Sequence, residues 1–251
     1  MIVSEVMATK LVTVTSNDTL SHAANLLRQH QFHHLPVVQA PGSQQEARNT
    51  LYVLEGLLTA QDIDLAAASG KSSVVEGLSP AMLQQPWQEQ RVVEVMHRAT
   101  IRVNPTTDVA AAAQILVERG LNCLPVVEYE QAEQGAGDTE PETRPVLVGL
   151  LTRSDLLIAL ARLLGALEPG MQLIVPLPTG NLTPLTQTLL LAAELHIPVR
   201  SVLAAPMEGS VPRVATVRLG TINPTPLLVR LQKANIQYTF ANPLAEGGTH
   251  V

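Results

Sequence analysis

One seven-residue stretch occurs twice, and it constrains the fold more than any other feature. It reads Gly56-Leu57-Leu58-Thr59-Ala60-Gln61-Asp62, and later Gly149-Leu150-Leu151-Thr152-Arg153-Ser154-Asp155. Each copy has the pattern of a buried strand ending in a threonine, with an aspartate one turn inside the helix that follows. An apolar run continues both copies, through Ile63, Leu65, Ala66 and Ala67 in the first and Leu156, Leu157 and Leu160 in the second. A strand-to-helix corner repeated within one chain predicts a tandem repeat.

The flanking residues repeat in the same order. Val12 and Val14 alternate with Thr13 and Thr15 as a half-buried strand, and Ile101 and Val103 answer them. Ser16-Asn17-Asp18 turns the chain, as does Asn104-Pro105-Thr106-Thr107-Asp108. One apolar helix face carries Leu20, Ala23, Ala24 and Leu27; its counterpart carries Val109, Ala112, Ala113 and Leu116. Leu35-Pro36-Val37-Val38 returns as Leu124-Pro125-Val126-Val127, and Val6-Met7 returns as Val95-Met96. The offset is 89 residues at Pro36 and 93 at Thr59, so four residues are inserted between the paired strands. Both inter-strand segments, 40–50 and 128–145, are polar and read as exposed hairpin loops, where insertions are tolerated.

A strand, a helix, a Pro-Val-Val strand, a Gly-x-x-Thr-x-x-Asp corner and a second helix, in tandem, resemble a pair of CBS domains (a Bateman module) over roughly residues 1–165. The resemblance implies two repeats packed as a pseudo-twofold pair through their sheets. It also implies two clefts for adenosine-containing ligands such as AMP, ADP, ATP or S-adenosylmethionine, and a regulatory role with no catalysis. The corresponding division is 1–70 and 91–167 for the repeats, 71–90 for a linker, and 168–251 for a third unit.

The corner residues suit that chemistry in their own right. A carboxylate can accept from both hydroxyls of a ribose. A threonine hydroxyl and free N–H groups at a helix start suit a phosphate. The same Thr-x-x-Asp pattern is also close to a capping box, and one residue can serve both ends. By the family's arrangement one cleft would hold Thr152, Arg153 and Asp155 with Thr15, Leu20, Phe32, His33 and His34. The other would hold Thr59 and Asp62 with Asn104, Val109, Leu121, Asn122 and Cys123. The first has the cations, Arg153 and two histidines, whereas Ala60 stands where the second would carry the arginine. Nucleotide is therefore expected to bind more tightly at Asp155 than at Asp62. His30, His33 and His34 are too loosely spaced, without a completing cysteine or carboxylate, to predict a metal site. Cys123, beside a buried strand, reads as a small core or pocket-wall residue.

After the helix-breaking Glu168-Pro169-Gly170, the pattern predicts a βαββαβ unit. Its strands centre on Leu173–Leu177, Val199–Ala204, Val214–Leu219 and Ile236–Phe240. Pro176 and Pro178 suggest an edge position for the first of them. The fold class expected is thus α/β (α+β): a CBS pair followed by a ferredoxin-like domain that resembles ACT modules. Leu177-Pro178-Thr179-Gly180-Asn181-Leu182 keeps the glycine and leucine of the ACT turn but lacks its charged pair. The CBS-then-ACT order resembles regulators of the acetoin-utilisation type.

Composition narrows the function classes. Aromatics are 2% of 251 residues and the formal net charge is −6, which disfavour a base-stacking or basic nucleic-acid surface. The longest apolar run, Leu156 to Leu167, contains Arg162 and is too short for a bilayer. One cysteine leaves no internal disulfide. No catalytic set stands out. The expectation is a cytoplasmic, homodimeric, non-enzymatic sensor of AMP, ADP or ATP, with no required cofactor, no membrane or nucleic-acid partner, and a protein partner of unassigned identity. The alternative is a dimerisation module whose clefts are vestigial.

Overall fold

The computed structural model describes residues 1–39, 52–71, 86–99, 101–131, 143–206 and 211–240. The chain forms two compact units, Met1–Leu156 and Leu157–Val251. That division falls inside a helix, upstream of the Glu168-Pro169-Gly170 break read from the sequence.

In the first unit, repeat one runs β1 (Val14–Thr15), α1 (Leu20–His30), β2 (His34–Val38), β3 (Leu54–Thr59) and α2 (Ala60–Lys71). Leu20, Ala23 and Leu27 give α1 its buried face, Thr19 caps it, and Gln31 ends it in the left-handed region with φ 55°. The sheet order is β1-β2-β3-β4, with β4 being His97–Arg98. β1 runs parallel to β2, and the other neighbours are antiparallel.

Repeat two has α3 (Val109–Glu118), β5 (Cys123–Gln131), β6 (Thr143–Thr152) and α4 (Arg153–Leu163). Val103 forms a parallel bridge to Val126 and Ala8 an antiparallel bridge to Leu150, which reproduces the four-part order of the first sheet. The hairpin strands are longer than the sequence suggests: Glu128–Gln131 pairs with Thr143–Val146. Most of those residues are polar yet extended, because a ladder needs only backbone groups once the buried part of the hairpin has set the register. The loop assigned to 40–50 lies outside the described residues, as do 132–142 and most of the linker.

The lead-in segments are exchanged. Val3, Val6 and Met7 pack in the core of repeat two, while Val92, Val95 and Met96 pack in that of repeat one. Val3 N–H donates to the Thr107 carbonyl and Val92 N–H to the Asp18 carbonyl, each at 2.9 Å. This exchange explains the glycine that opens each corner. A Cβ on Gly56 would lie 2.6 Å from the His97 carbonyl oxygen, and one on Gly149 would collide with Met7 Sδ. Val38, Leu54, Val127 and Leu147 form a shared cluster that joins the two sheets.

The second unit contains β7 (Met171–Pro176), α5 (Thr183–Glu194), β8 (Val199–Leu203), β9 (Val214–Leu219), α6 (Thr225–Lys233) and β10 (Thr239–Phe240). The order β10-β7-β9-β8, all antiparallel, is the split βαβ plan. Leu173, Val175, Val217 and Leu219 bury against Leu185, Ala192, Leu227 and Leu231 of the helices. The prolines mislead in one respect: β7 is central, not an edge. Pro176 sits at the exit of β7, beyond Leu173 and Ile174, the residues that the two-residue β10 pairs. The missing N–H of Pro176 therefore costs no ladder bond there.

No helix among the described residues is long and apolar enough to cross a membrane.

Candidate functional site

The two corners fold alike because each threonine and aspartate satisfy one another. Thr152 N–H and Oγ1–H donate to Asp155 Oδ2 at 2.8 and 2.6 Å, and Asp155 N–H donates back to Thr152 Oγ1 at 3.2 Å. Thr59 and Asp62 repeat the set at 2.8, 2.7 and 3.2 Å. The capping role is therefore real in both copies, and it uses one carboxylate oxygen. Other helix-start donors are taken by the neighbouring strand segment: Arg153 N–H donates to the Asn122 carbonyl at 3.2 Å and Ala60 N–H to the His33 carbonyl at 3.0 Å. The free N–H groups expected to hold a phosphate are thus largely engaged, which moves that task to side chains.

The difference lies at the second oxygen. Asp62 Oδ1 is 2.8 Å from His97 Nε2, and Asp62 is only 7% exposed. Asp155 is partly exposed, and its Oδ1 has no protein partner among the described residues.

A cleft of about 440 Å³ opens beside Asp155. That volume is within the range of small-molecule sites. Its wall brings together Thr152, Arg153 and Asp155 of repeat two with Phe32, His33 and His34 of repeat one. Residues that the sequence reading did not assign to the cleft complete it: Ala8, Lys10, Leu11 and Val12 from the segment before β1, Gln31 and Pro36 from repeat one, and Leu150 and Ser154 from repeat two. The repeated Val-Met lead-in was the available signal, since a segment duplicated with the repeats belongs to their architecture.

Two residues expected at this cleft lie elsewhere. Leu20 is fully buried in the core of repeat one, because it opens the apolar face of α1. Thr15 ends β1 and donates its N–H to Asp18 Oδ2 at 2.7 Å, away from the cleft wall.

The residues assigned to the other cleft have varied surroundings. Asn122 lies on the Asp155 cleft wall, whereas Asn104 borders a separate open depression with Glu128 and Tyr129. Val109 is buried at the start of α3, and Leu121 packs against the core of repeat two. Cys123 is 4% exposed, and burial pushes its thiol up to about 12. Thr59 and Asp62 hold their corner.

The Asp155 cleft is cationic. Arg153 anchors one guanidinium nitrogen on the Leu116 carbonyl at 3.3 Å, and Lys10 is a second basic residue on the wall. Burial holds the His34 imidazole below its ordinary value, the neighbouring His33 charge lowers it further, and Asp62 opposes both. These surroundings favour neutral His34, contrary to a ring already charged for phosphate. Phe32 is 40% exposed, and the His30 ring stacks on it with centroids 5.4 Å apart. Among the described residues no group of three or more His, Cys, Asp or Glu converges on a metal position.

The CBS domain model matches residues 3–68 and 92–162. The chain belongs to the CBS domain family, as a tandem pair. It is similar to the CBS domain-containing protein YhcV of Bacillus subtilis, with 30% identity over 127 residues, 50% of this chain and 72% of YhcV. Among solved structures it is similar to AcuB from Vibrio cholerae, at 26% identity and a TM-score of 0.45, covering 67% of this chain and 98% of that one. The CBS domain pair of MJ0100, solved with 5′-methylthioadenosine and S-adenosyl-L-methionine, gives 21% identity and a TM-score of 0.44 over 64% of this chain and 96% of that one.

Proposed function

We propose that this protein is a non-enzymatic sensor that binds a phosphorylated adenosine, AMP, ADP or ATP, in the Asp155 cleft. The observation that carries the reading is the free Asp155 Oδ1 in a cleft that also holds Arg153, Lys10, His33 and an exposed aromatic ring. Oδ1 offers acceptor sites for a ribose diol, and Phe32 offers a face for the base. Arg153 and Lys10 supply donors for phosphate, with the planar guanidinium suited to a bidentate contact. The same cations disfavour the sulfonium of S-adenosylmethionine, so the anionic nucleotides rank first.

Binding regulates only through a difference in affinity between two arrangements of the protein. α4 starts at the cleft with Arg153, and its later residues belong to the second unit. That makes it the covalent route by which a change at the corner reaches the βαββαβ domain. We read that domain as ACT-like, and the protein as a cytoplasmic homodimer that passes the signal to a protein partner.

Thermal-shift measurements with AMP, ADP, ATP and S-adenosylmethionine test this reading. A site filled at a hundred times its dissociation constant adds about 2.7 kcal/mol of stability. If no adenosine ligand moves the midpoint, the threonine–aspartate pairs are helix caps only, and the protein is an assembly module.

A further inference from the structure

Ala8 and His97 are equivalent residues with opposite consequences. Ala8 bridges Leu150 in repeat two, and His97 pairs with Leu57 in repeat one. The positions are related by the same 89- and 93-residue offsets that relate the repeats. At the Asp155 corner this place holds a methyl group, which lines the open cleft. At the Asp62 corner it holds an imidazole whose Nε2 lies 2.8 Å from Asp62 Oδ1.

We propose that His97 decides which of the two clefts binds nucleotide, by occupying the Asp62 carboxylate as an internal ligand. This rests on reading the Asp155 cleft as an adenosine site. A carboxylate has roughly four acceptor sites. Thr59 takes two of them at Asp62 Oδ2, through its N–H and its hydroxyl. His97 takes a third at Oδ1, leaving one for the two hydroxyls of a ribose. Asp155 keeps both sites of Oδ1, because the methyl of Ala8 cannot donate. The burial agrees: the Asp62 side chain is 9% exposed beneath a His97 side chain that is 72% exposed. An exposed imidazole in contact with a nearly buried carboxylate is among the groups that shield it. Removing it uncovers the acceptor without opening a hole in the core, and alanine is the residue that repeat two already carries at this place.

Isothermal titration calorimetry with AMP on the full chain tests the proposal. The variants are the wild type, His97→Ala, Asp155→Ala and the double variant His97→Ala with Asp62→Ala. The expected stoichiometry is one AMP per chain for the wild type and two for His97→Ala, the second at least tenfold tighter than any second binding in the wild type. The double variant should return to one, and Asp155→Ala should lose the site of the wild type. If the wild type and His97→Ala both bind one AMP, His97 does not guard the corner and the inference is overturned, while the Asp155 reading stands. If the wild type binds none and His97→Ala binds one that depends on Asp62, the Asp155 reading fails and the inference stands. Absence of binding in both overturns both. Two AMP per wild-type chain also overturns the inference.

Discussion

Arg153 Nη2 donates to the Leu116 carbonyl oxygen at 3.3 Å, tying the strongest cation of the cleft to the last turn of α3. The bond restrains a long side chain that otherwise loses rotamer freedom when it meets a ligand, and it leaves further donors on the guanidinium. Arg153→Ala should weaken nucleotide binding by roughly 10- to 100-fold, the worth of a charge-assisted hydrogen bond. Arg153→Lys should restore only part of it, because the ammonium has no planar fork. The loss should grow from adenosine to AMP to ATP and shrink at high salt. Calorimetric titrations with the three ligands check this, and an equal loss for adenosine would show that Arg153 does not contact phosphate.

Asp155→Ala and Asp62→Ala remove equivalent capping groups, so each should cost about 1 kcal/mol of stability. Their effects on ligand should differ. Asp155→Ala should erase most of the AMP-dependent thermal shift, and Asp62→Ala should leave it near the wild-type value. Differential scanning fluorimetry with and without AMP makes the comparison, and equal loss in both variants would sink the ranking of the clefts.

His34 gives the cleft a pH dependence. Its folded pKa is depressed below the usual 6.5, first by burial and then by His33, with Asp62 acting in the opposite direction. The depression contributes stability present above pH 6.5 and lost as the pH falls through the folded value, since the neutral ring is the form the fold prefers. A bound phosphate reverses the preference by favouring imidazolium. Nucleotide binding should therefore take up protons near neutral pH and tighten as the pH is lowered toward the His34 value. Titrations at one pH in buffers of different ionisation enthalpy measure the uptake. His34→Asn should reduce it.

Leu20→Ala should destabilise the protein by roughly 2–5 kcal/mol, the cost of truncating a buried leucine. Leu20 is fully buried and off the cleft wall, so the variant should bind AMP with wild-type affinity at temperatures where it remains folded. Chemical denaturation and calorimetry together separate the two effects.

Cys123 should resist alkylation in the native state. With a thiol pKa of about 12, only about one part in ten thousand is thiolate at pH 8, and thiolate is the reactive form. Iodoacetamide labelling followed by mass spectrometry should show modification only under unfolding conditions.

Much of the architecture was written in local patterns. Periods of two and of 3.6, the Pro-Val-Val strands and the duplicated corner specify the tandem pair, since each repeat's apolar face has one way to bury. The βαββαβ order of the second unit follows from the same rules. The threonine–aspartate contacts were legible too, being only three residues apart. What the sequence could not settle was the environment of each aspartate. Arg153 against Ala60 ranked Asp155 above Asp62 on charge, but nothing local showed which groups reach each second carboxylate oxygen, and Leu20 read as a wall residue. The tertiary structure exchanged the lead-in segments between repeats, and that placed Ala8 and Lys10 at one corner and His97 at the other. Contacts between Asp62 and a residue 35 positions away depend on sheet pairing at a distance, which no local propensity encodes. The sequence by itself determined two corners of one pattern, with Arg153 at one and Ala60 at the other. Only long-range packing decided that one carboxylate oxygen is taken and the other is free.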